Sequence, residues 1–341
     1  MAPETNLPVL KAKDYASDQT VKWCPGCGDY AILNHVHRVL ATLQSRPENT
    51  VFVAGIGCSS RFPYYVETYG LHSIHGRAPG FVTGIKLANP ELDVWMVTGD
   101  GDALSIGGNH LVHLLRRNVD VNILLFNNRI YGLTKGQYSP TSETGKKTKS
   151  TPMGSLDFPL NPAAVALAAD ATFVARTADK DRKIGVVLEE AAGHKGSSFV
   201  EVYQNCNIFN DGAFDDLTGK DGRDENVLYL EAGKPMKFGK GLGKGVRLIG
   251  GKPEVVDLEA GGVSDDDLLF HDPSDRARAA LLAQFRREGY EDLPEPFGVI
   301  YRGERPTYER LVEDQVQAAI DKQGPGDLDA LLSGGGVYEV K

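Results

Sequence analysis

The residues with the types and spacing to do chemistry are Asp100, held between Gly99 and Gly101, the pair Asn127-Asn128 that follows 25 residues after Gly101, and the cysteines Cys24, Cys27, Cys58 and Cys206. A carboxylate, an amide and nearby backbone carbonyls are ligands of a hard cation. Magnesium prefers near-octahedral oxygen coordination and takes its remaining positions from water and a phosphate-bearing ligand. One carboxylate with neutral oxygens therefore implies a bound phosphate, and a diphosphate cofactor meets that demand. Gly99 and Gly101 let the backbone approach the phosphates, and a helix expected from near Ala103 adds N–H donors.

The cysteines are spaced differently. Cys24 and Cys27 stand in Trp-Cys-Pro-Gly-Cys-Gly at the expected start of a helix, a position that favours thiolate, the form that binds metal. Cys58 follows an apolar strand, Val51 to Ala54, and Cys206 lies just past another, Ser198 to Tyr203. Structural zinc sites present two tight pairs, whereas here one pair joins two isolated cysteines, a spacing that suits a four-iron cluster. Zinc and buried unligated thiols are the alternatives.

These groups need elements to hold them. Val94 to Val97 reads as a buried strand, the chain breaks at Gly99 to Gly101, a helix resumes at Leu104 and ends near Asn118, and Val121 to Phe126 is a second strand. Such a crossover puts both strands parallel in one sheet, so Asp100 and Asn128 share its carboxyl edge, where open α/β sheets bind ligands. Upstream, Asp29 is expected to cap a helix whose apolar face carries Ile32, Leu33, Val36, Val39, Leu40 and Leu43. Downstream, a helix over Pro162 to Asp170, a strand over Thr172 to Ala175 and a helix over Asp179 to Ala192 precede the strand that leads to Cys206. The alternation predicts a doubly wound parallel α/β sheet over residues 1–210. Residues 211–341, richer in Gly, Lys and Asp, lack apolar strands and read as a C-terminal arm packing on the core or on a partner subunit. The long polar loop from Arg129 to Thr151 belongs to the functional part.

Composition excludes several classes. The chain has 341 residues, 41% hydrophobic and 24% charged, as in soluble globular proteins, and a net charge of −9 argues against general nucleic-acid affinity. No apolar run approaches a membrane span and no signal-peptide pattern opens the chain, so the expected setting is the cytoplasm, where disulfides are rare.

Gly99-Asp100-Gly101 with Asn127-Asn128 resembles the thiamine diphosphate signature. With WCPGCG, GIGCSS, HGR at His75 to Arg77, FNNRIYGLTKGQYSPTS and Cys206, the chain is similar to the β subunits of 2-oxoacid:ferredoxin oxidoreductases over roughly residues 20 to 210. The resemblance implies that Asp100, Asn128 and the Ile130 carbonyl hold magnesium, that Ile56, Gly57, Cys58, Ser59, His75, Gly101, Asp102, Gly132 and Leu133 contact thiamine diphosphate, and that Cys24, Cys27, Cys58 and Cys206 hold a [4Fe-4S] cluster. It implies oxidative decarboxylation of a 2-oxoacid, transfer of the acyl group to coenzyme A and of electrons to ferredoxin, with CO2 fixation in reverse. The glutamate that activates thiamine is expected from an α subunit. 2-Oxoglutarate is the expected substrate and pyruvate the runner-up. A non-redox thiamine decarboxylase and a zinc-binding module are the rival readings. Lys135 and Arg61 are candidates for contact with a substrate carboxylate or coenzyme A.

Overall fold

The computed structural model describes residues 8–334 apart from 221, together with 336, 338 and 340. Its centre is an eight-stranded sheet in the order β2-β1-β3-β4-β6-β5-β11-β7. The strands are β1 (Thr50–Ala54), β2 (Tyr69–His72), β3 (Asp93–Gly99), β4 (Val121–Asn127), β5 (Phe173–Ala178), β6 (Ser197–Tyr203), β7 (Val227–Tyr229) and β11 (Glu295–Arg302); β8 (Lys237–Phe238), β9 (Lys244–Ile249) and β10 (Lys252–Asp257) form a separate antiparallel ribbon. Every neighbouring pair in the large sheet is parallel except β11 with β5.

Central strands of a parallel sheet are covered on both faces, and their residues divide by the two-residue period of the strand. Val51 and Val53 of β1, Met96 of β3 and Ile123 and Leu125 of β4 face one core, closed by α2 (Ala78–Ala88), α4 (Gly108–Arg117) and α5 (Pro162–Ala168). Phe52, Trp95, Val97, Leu124 and Phe126 face the other, closed by α1 (Asp29–Leu43) and α6 (Ile184–Ala192). This is the doubly wound arrangement. On α1 the expected apolar face is buried except at Leu43, which is exposed.

Three local expectations need correction. The helix after β3 does not begin near Ala103. A single turn, α3 (Asp100–Leu104), starts on Asp100 itself, and the main helix α4 begins only at Gly108. The break falls where two backbones cross: a Cβ on Gly76 would stand 2.4 Å from the Gly107 Cα, and one on Gly107 would stand 2.4 Å from the Asp102 carbonyl oxygen. Asp29 does not cap α1. The cap is Gly28, without a side-chain bond, while the Asp29 carboxyl turns inward and is buried.

The third correction concerns the chain beyond Cys206, where strands do continue. β11 joins the sheet beside β5 and carries β7 on its outer edge. Its sequence, Glu-Pro-Phe-Gly-Val-Ile-Tyr-Arg, hides the strand behind a proline and a glycine. Pro296 sits beside the short edge strand β7, and Gly298, at φ 111°, precedes a bulge between Val299 and Tyr301. Leu228, Met236, Phe238, Val246, Leu269, Leu282, Phe285 and Ile300 also join the first core, so the C-terminal part packs on the sheet.

Candidate cofactor cleft

β1, β3, β4 and β6 end on one edge, and the loops leaving them surround a cleft of about 350 Å³. Its walls include Ile56, Gly57, Cys58, Ser59, His75, Asp100, Gly101, Asp102, Asn128, Ile130, Gly132 and Leu133. The structure thus brings together all the residues expected to touch magnesium or thiamine diphosphate. The wall also holds Asp29, Tyr131 and Gln204, which the sequence did not single out for the cleft.

At the floor, Asp100 is buried, and its Oδ2 accepts hydrogen bonds from Ser139 Oγ and Thr141 Oγ1, both at 2.5 Å. Burial raises its pKa above the ordinary aspartate range, against the opposing effect of the Ser139 and Thr141 hydroxyls. No cationic side chain bonds to it among the described residues. Asn128 Oδ1 accepts from Ile130 N at 3.2 Å, and its Nδ2 donates to Gln204 Oε1 at 2.9 Å. A buried carboxylate served only by neutral donors, beside an amide oxygen and a carbonyl, is a donor set that fits a hard cation.

Asp102, in the cleft wall as expected, also has a structural part. Its Oδ1 accepts from Gly76 N at 2.8 Å and Ile56 N at 3.2 Å, and its Oδ2 accepts from Thr98 Oγ1 at 2.8 Å. The carboxylate therefore ties the His75 loop and the Ile56 loop to the end of β3. A Cβ on Gly55 would stand 1.8 Å from Asp102 Oδ2, which requires glycine there. Gly101 is required likewise, since a Cβ would meet the Tyr131 ring at 2.1 Å while the Tyr131 hydroxyl donates to the Gly101 carbonyl. Gly57, at φ 133° with open space where a Cβ would point, leaves bare backbone at the cleft.

The cysteines meet on the α1 side of the cleft. All four are free thiols. Cys58 Sγ and Cys206 Sγ lie 3.8 and 3.3 Å from the point where a Cβ on Gly132 would stand, so Gly132 keeps the space beside both sulfurs open. The strap after β6 is tied to the Cys24 loop: Gly28 N donates to the Asn205 carbonyl at 3.1 Å and Asn207 Nδ2 to the Pro25 carbonyl at 2.7 Å. Burial pushes the Cys58 thiol up to about 12, with Asp29, Cys206 and Cys24 adding to the rise. Burial likewise raises Cys27, with contributions from Asp29, Cys58 and Cys206. Among the described residues no three His, Cys, Asp or Glu side chains close tightly enough to grip one metal ion. A single zinc would need its thiolates within bonding distance of one point, at about 2.3 Å each.

Lys135 and Arg61 stand outside this wall. Lys135 is exposed in a left-handed turn, at φ 76°. Arg61 Nε donates to the Tyr65 hydroxyl at 2.9 Å, and its guanidinium covers the Tyr64 ring. In the basic run beyond, Lys146 is bonded to Asn210 and lies beside Glu143. The residues missed in the sequence do carry a retrospective signal: Ser139 and Thr141 belong to the motif string itself, and Gln204 is the first residue past β6.

The fold and this cleft define a thiamine diphosphate-binding α/β unit, and residues 55–202 match the family model described as the C-terminal TPP-binding domain of thiamine pyrophosphate enzymes. The chain is 52% identical over 343 aligned positions, 99% of its length and 90% of the relative's, to the 2-oxoglutarate oxidoreductase subunit KorB of Mycobacterium tuberculosis. It is 48% identical over 201 positions, 58% of its length and 62% of the relative's, to the β subunit of 2-oxoacid:ferredoxin oxidoreductase 1 of Aeropyrum pernix. A solved structure, the 2-oxoglutarate:ferredoxin oxidoreductase from Magnetococcus marinus with 2-oxoglutarate, coenzyme A and succinyl-CoA bound, superimposes with a TM-score of 0.75 at 32% identity, over 96% of this chain and 97% of that one. The chain belongs to the 2-oxoacid:ferredoxin oxidoreductase β subunits.

Proposed function

We propose that this β subunit, joined to an α subunit, converts 2-oxoglutarate and coenzyme A to an acyl-coenzyme A and CO2, passing two electrons singly to ferredoxin, and that it runs in reverse as a CO2-fixing carboxylation. The observation that carries this reading is that Cys58 lines the same cleft as Asp100, Asn128 and Ile130, so a redox centre and a diphosphate site share a wall. A non-redox decarboxylase has no use for that juxtaposition.

In this reading Asp100, Asn128 Oδ1 and the Ile130 carbonyl hold magnesium, and the bare backbone of Gly57, Gly101 and Gly132 admits the cofactor. Cys24, Cys27, Cys58 and Cys206 hold a [4Fe-4S] cluster. When bound, thiamine diphosphate supplies the carbanion for the ketone carbon and the electron sink when CO2 leaves. Asp102 holds the Ile56 and His75 loops to the end of β3, beside the cofactor. Lys135, on the rim, and Arg61 remain proposed contacts for a substrate carboxylate or coenzyme A within the assembled enzyme.

Two observations favour an obligate partner. Among the described residues no glutamate lines the cleft, although thiamine enzymes need a glutamate at the aminopyrimidine ring. Ile106 and Leu133 on the cleft wall, and Ile74 beside it, are exposed apolar side chains of the kind a partner subunit covers. Residues 211–341, which add β11 and β7 to the sheet of the 1–210 unit, offer their outer side to the partner. No helix among the described residues is long and apolar enough to cross a membrane, and we place the enzyme in the cytoplasm.

The test expresses the chain with and without its partner and assays 2-oxoacid- and coenzyme A-dependent reduction of ferredoxin across a panel of 2-oxoacids. Turnover by the pair with 2-oxoglutarate first, and none by the chain alone, is expected. Preference for pyruvate would revise the substrate, and turnover by the isolated chain would overturn the need for a partner.

A further inference from the structure

Gln204, 1% exposed, stands between the two halves of the site with both amide N–H groups and its oxygen engaged in hydrogen bonds. Nε2 donates to the Asn205 carbonyl at 2.6 Å and to Cys27 Sγ at 3.2 Å, while Oε1 accepts from Asn128 Nδ2 at 2.9 Å. These bonds fix an orientation in sequence. The Asn205 carbonyl can only accept, so the Gln204 nitrogen must face it. The Gln204 oxygen then faces Asn128, which must present its NH2. That leaves Asn128 Oδ1 to accept from Ile130 N and to serve the cleft. With the Asn128 amide turned over, two oxygens would oppose each other at Gln204 and an NH2 group would stand where a cation needs an oxygen.

We propose that Gln204 is a positioning residue shared by both cofactor sites: it selects the cation-binding orientation of Asn128 and supplies the N–H donor that sets the electron affinity of the Cys27 sulfur. The proposal rests on the reading of Asn128 and Cys27 as ligands. Hydrogen bonds to cluster sulfurs stabilise the more negative, reduced state and raise the reduction potential. Outer-sphere partners of metal ligands typically change metal affinity by about 10- to 100-fold when removed. One side chain here serves both effects, and they are separable because they use different atoms of its amide.

The test uses the assembled enzyme, comparing Gln204→Leu, Gln204→Glu and the parent by two readouts other than turnover. The first is the cluster midpoint potential from a redox titration followed by electron paramagnetic resonance. The second is the affinity of cofactor-depleted enzyme for thiamine diphosphate as magnesium is varied, followed by tryptophan fluorescence. Gln204→Leu should lower the potential by the equivalent of a tenfold change in the oxidised-to-reduced ratio, about 59 mV for one electron, and weaken magnesium-dependent binding about tenfold. Gln204→Glu lacks the N–H donors but keeps an oxygen for Asn128. It should lower the potential at least as far and leave cofactor affinity near the parent's. Parent values of both quantities in Gln204→Leu, or equal losses of cofactor affinity in the two variants, overturn the proposal alone. A parent without iron, or a Cys27→Ser variant with an unchanged cluster, overturns the ligand reading and this inference with it.

Discussion

Two groups of buried charges lie on either side of Asn127, and they are balanced in opposite ways. On the sheet side, Arg176 Nε donates to Glu201 Oε2 at 2.8 Å and Nη1 to Glu295 Oε1 at 2.5 Å, all three side chains being essentially inaccessible. Burial disfavours the Arg176 charge, but Tyr203, Glu295 and Glu201 outweigh it and hold the pKa above the usual arginine value. On the cleft side, Asp100 is similarly buried but is met only by neutral donors, the Ser139 and Thr141 hydroxyls and backbone N–H groups. Asn127 joins the two, donating to Glu201 at 2.8 Å and accepting from Thr141 at 2.9 Å. The contrast separates a carboxylate whose counter-charge is built into the fold from one whose counter-charge must arrive from outside. The first belongs to stability, and the second is the one proposed for ligand binding.

The sharpest way to break that comparison is Asp100→Ala. It should abolish retention of thiamine diphosphate, with at least a hundredfold loss of magnesium-dependent affinity, while the cluster stays and the cofactor-free chain folds as well as the parent, since an uncompensated buried carboxylate is removed. Cofactor content per chain and the denaturation midpoint check both halves. Equal cofactor content in variant and parent would sink the assignment. Cys58→Ser and Cys206→Ser should in turn bleach the broad visible absorption and stop ferredoxin reduction; a variant keeping full absorption and turnover shows that its cysteine is not a ligand.

Arg176→Met probes the other side. It removes the one cation bonded to Glu201 and Glu295 among the described residues, and a loss of about 3–5 kcal/mol is expected from breaking such a group. Chemical denaturation of the cofactor-free chain measures it, and magnesium-dependent binding by the folded fraction should stay near the parent's. If Asp100→Ala destabilised the fold as much as Arg176→Met, the distinction between the two groups would fail.

The smallest effect concerns pH. Burial pushes Asp29 up to about 7, and its Oδ2 has no hydrogen-bond partner among the described residues. An unfolded aspartate titrates at about 4. Between these values the folded chain keeps a proton that the unfolded chain has lost, so stability present below about pH 4 declines as the pH rises through 7. In reduced, cofactor-free chain, Asp29→Asn should therefore gain on the parent in melting temperature between pH 5 and pH 8, by roughly 2–4 °C for each kcal/mol. A parent–variant difference independent of pH would show that Asp29 is not held protonated.

Much of the site was legible in the sequence because a parallel sheet imposes its own order. Consecutive strands that run the same way must all end on one edge, so Cys58, Asp100, Asn128 and Cys206, each just past an apolar run, were bound to meet there. What the sequence could not assign was the partner of each charge. Asp100 and Asp102 stand two residues apart in the same motif, yet one bonds the Ser139 and Thr141 hydroxyls and the other ties Ile56, Gly76 and Thr98 together. Likewise, Asp29 looked like a cap, and Gln204 looked like any polar residue after a strand.

The arm shows the same division. It reads as lacking apolar strands, and β11 is hidden because a proline and a glycine interrupt the pattern that marks a strand, and only pairing with β5 and β7 makes the segment extended. The sequence by itself determined the fold class, the edge at which the cleft forms and the strand-end residues Cys58, Asp100, Asn128 and Cys206 that reach it, since periodicity and spacing act along the chain. Tertiary structure alone decided which buried groups neutralise one another. Those hydrogen bonds join residues far apart in sequence, and their strength depends on burial that no local pattern encodes.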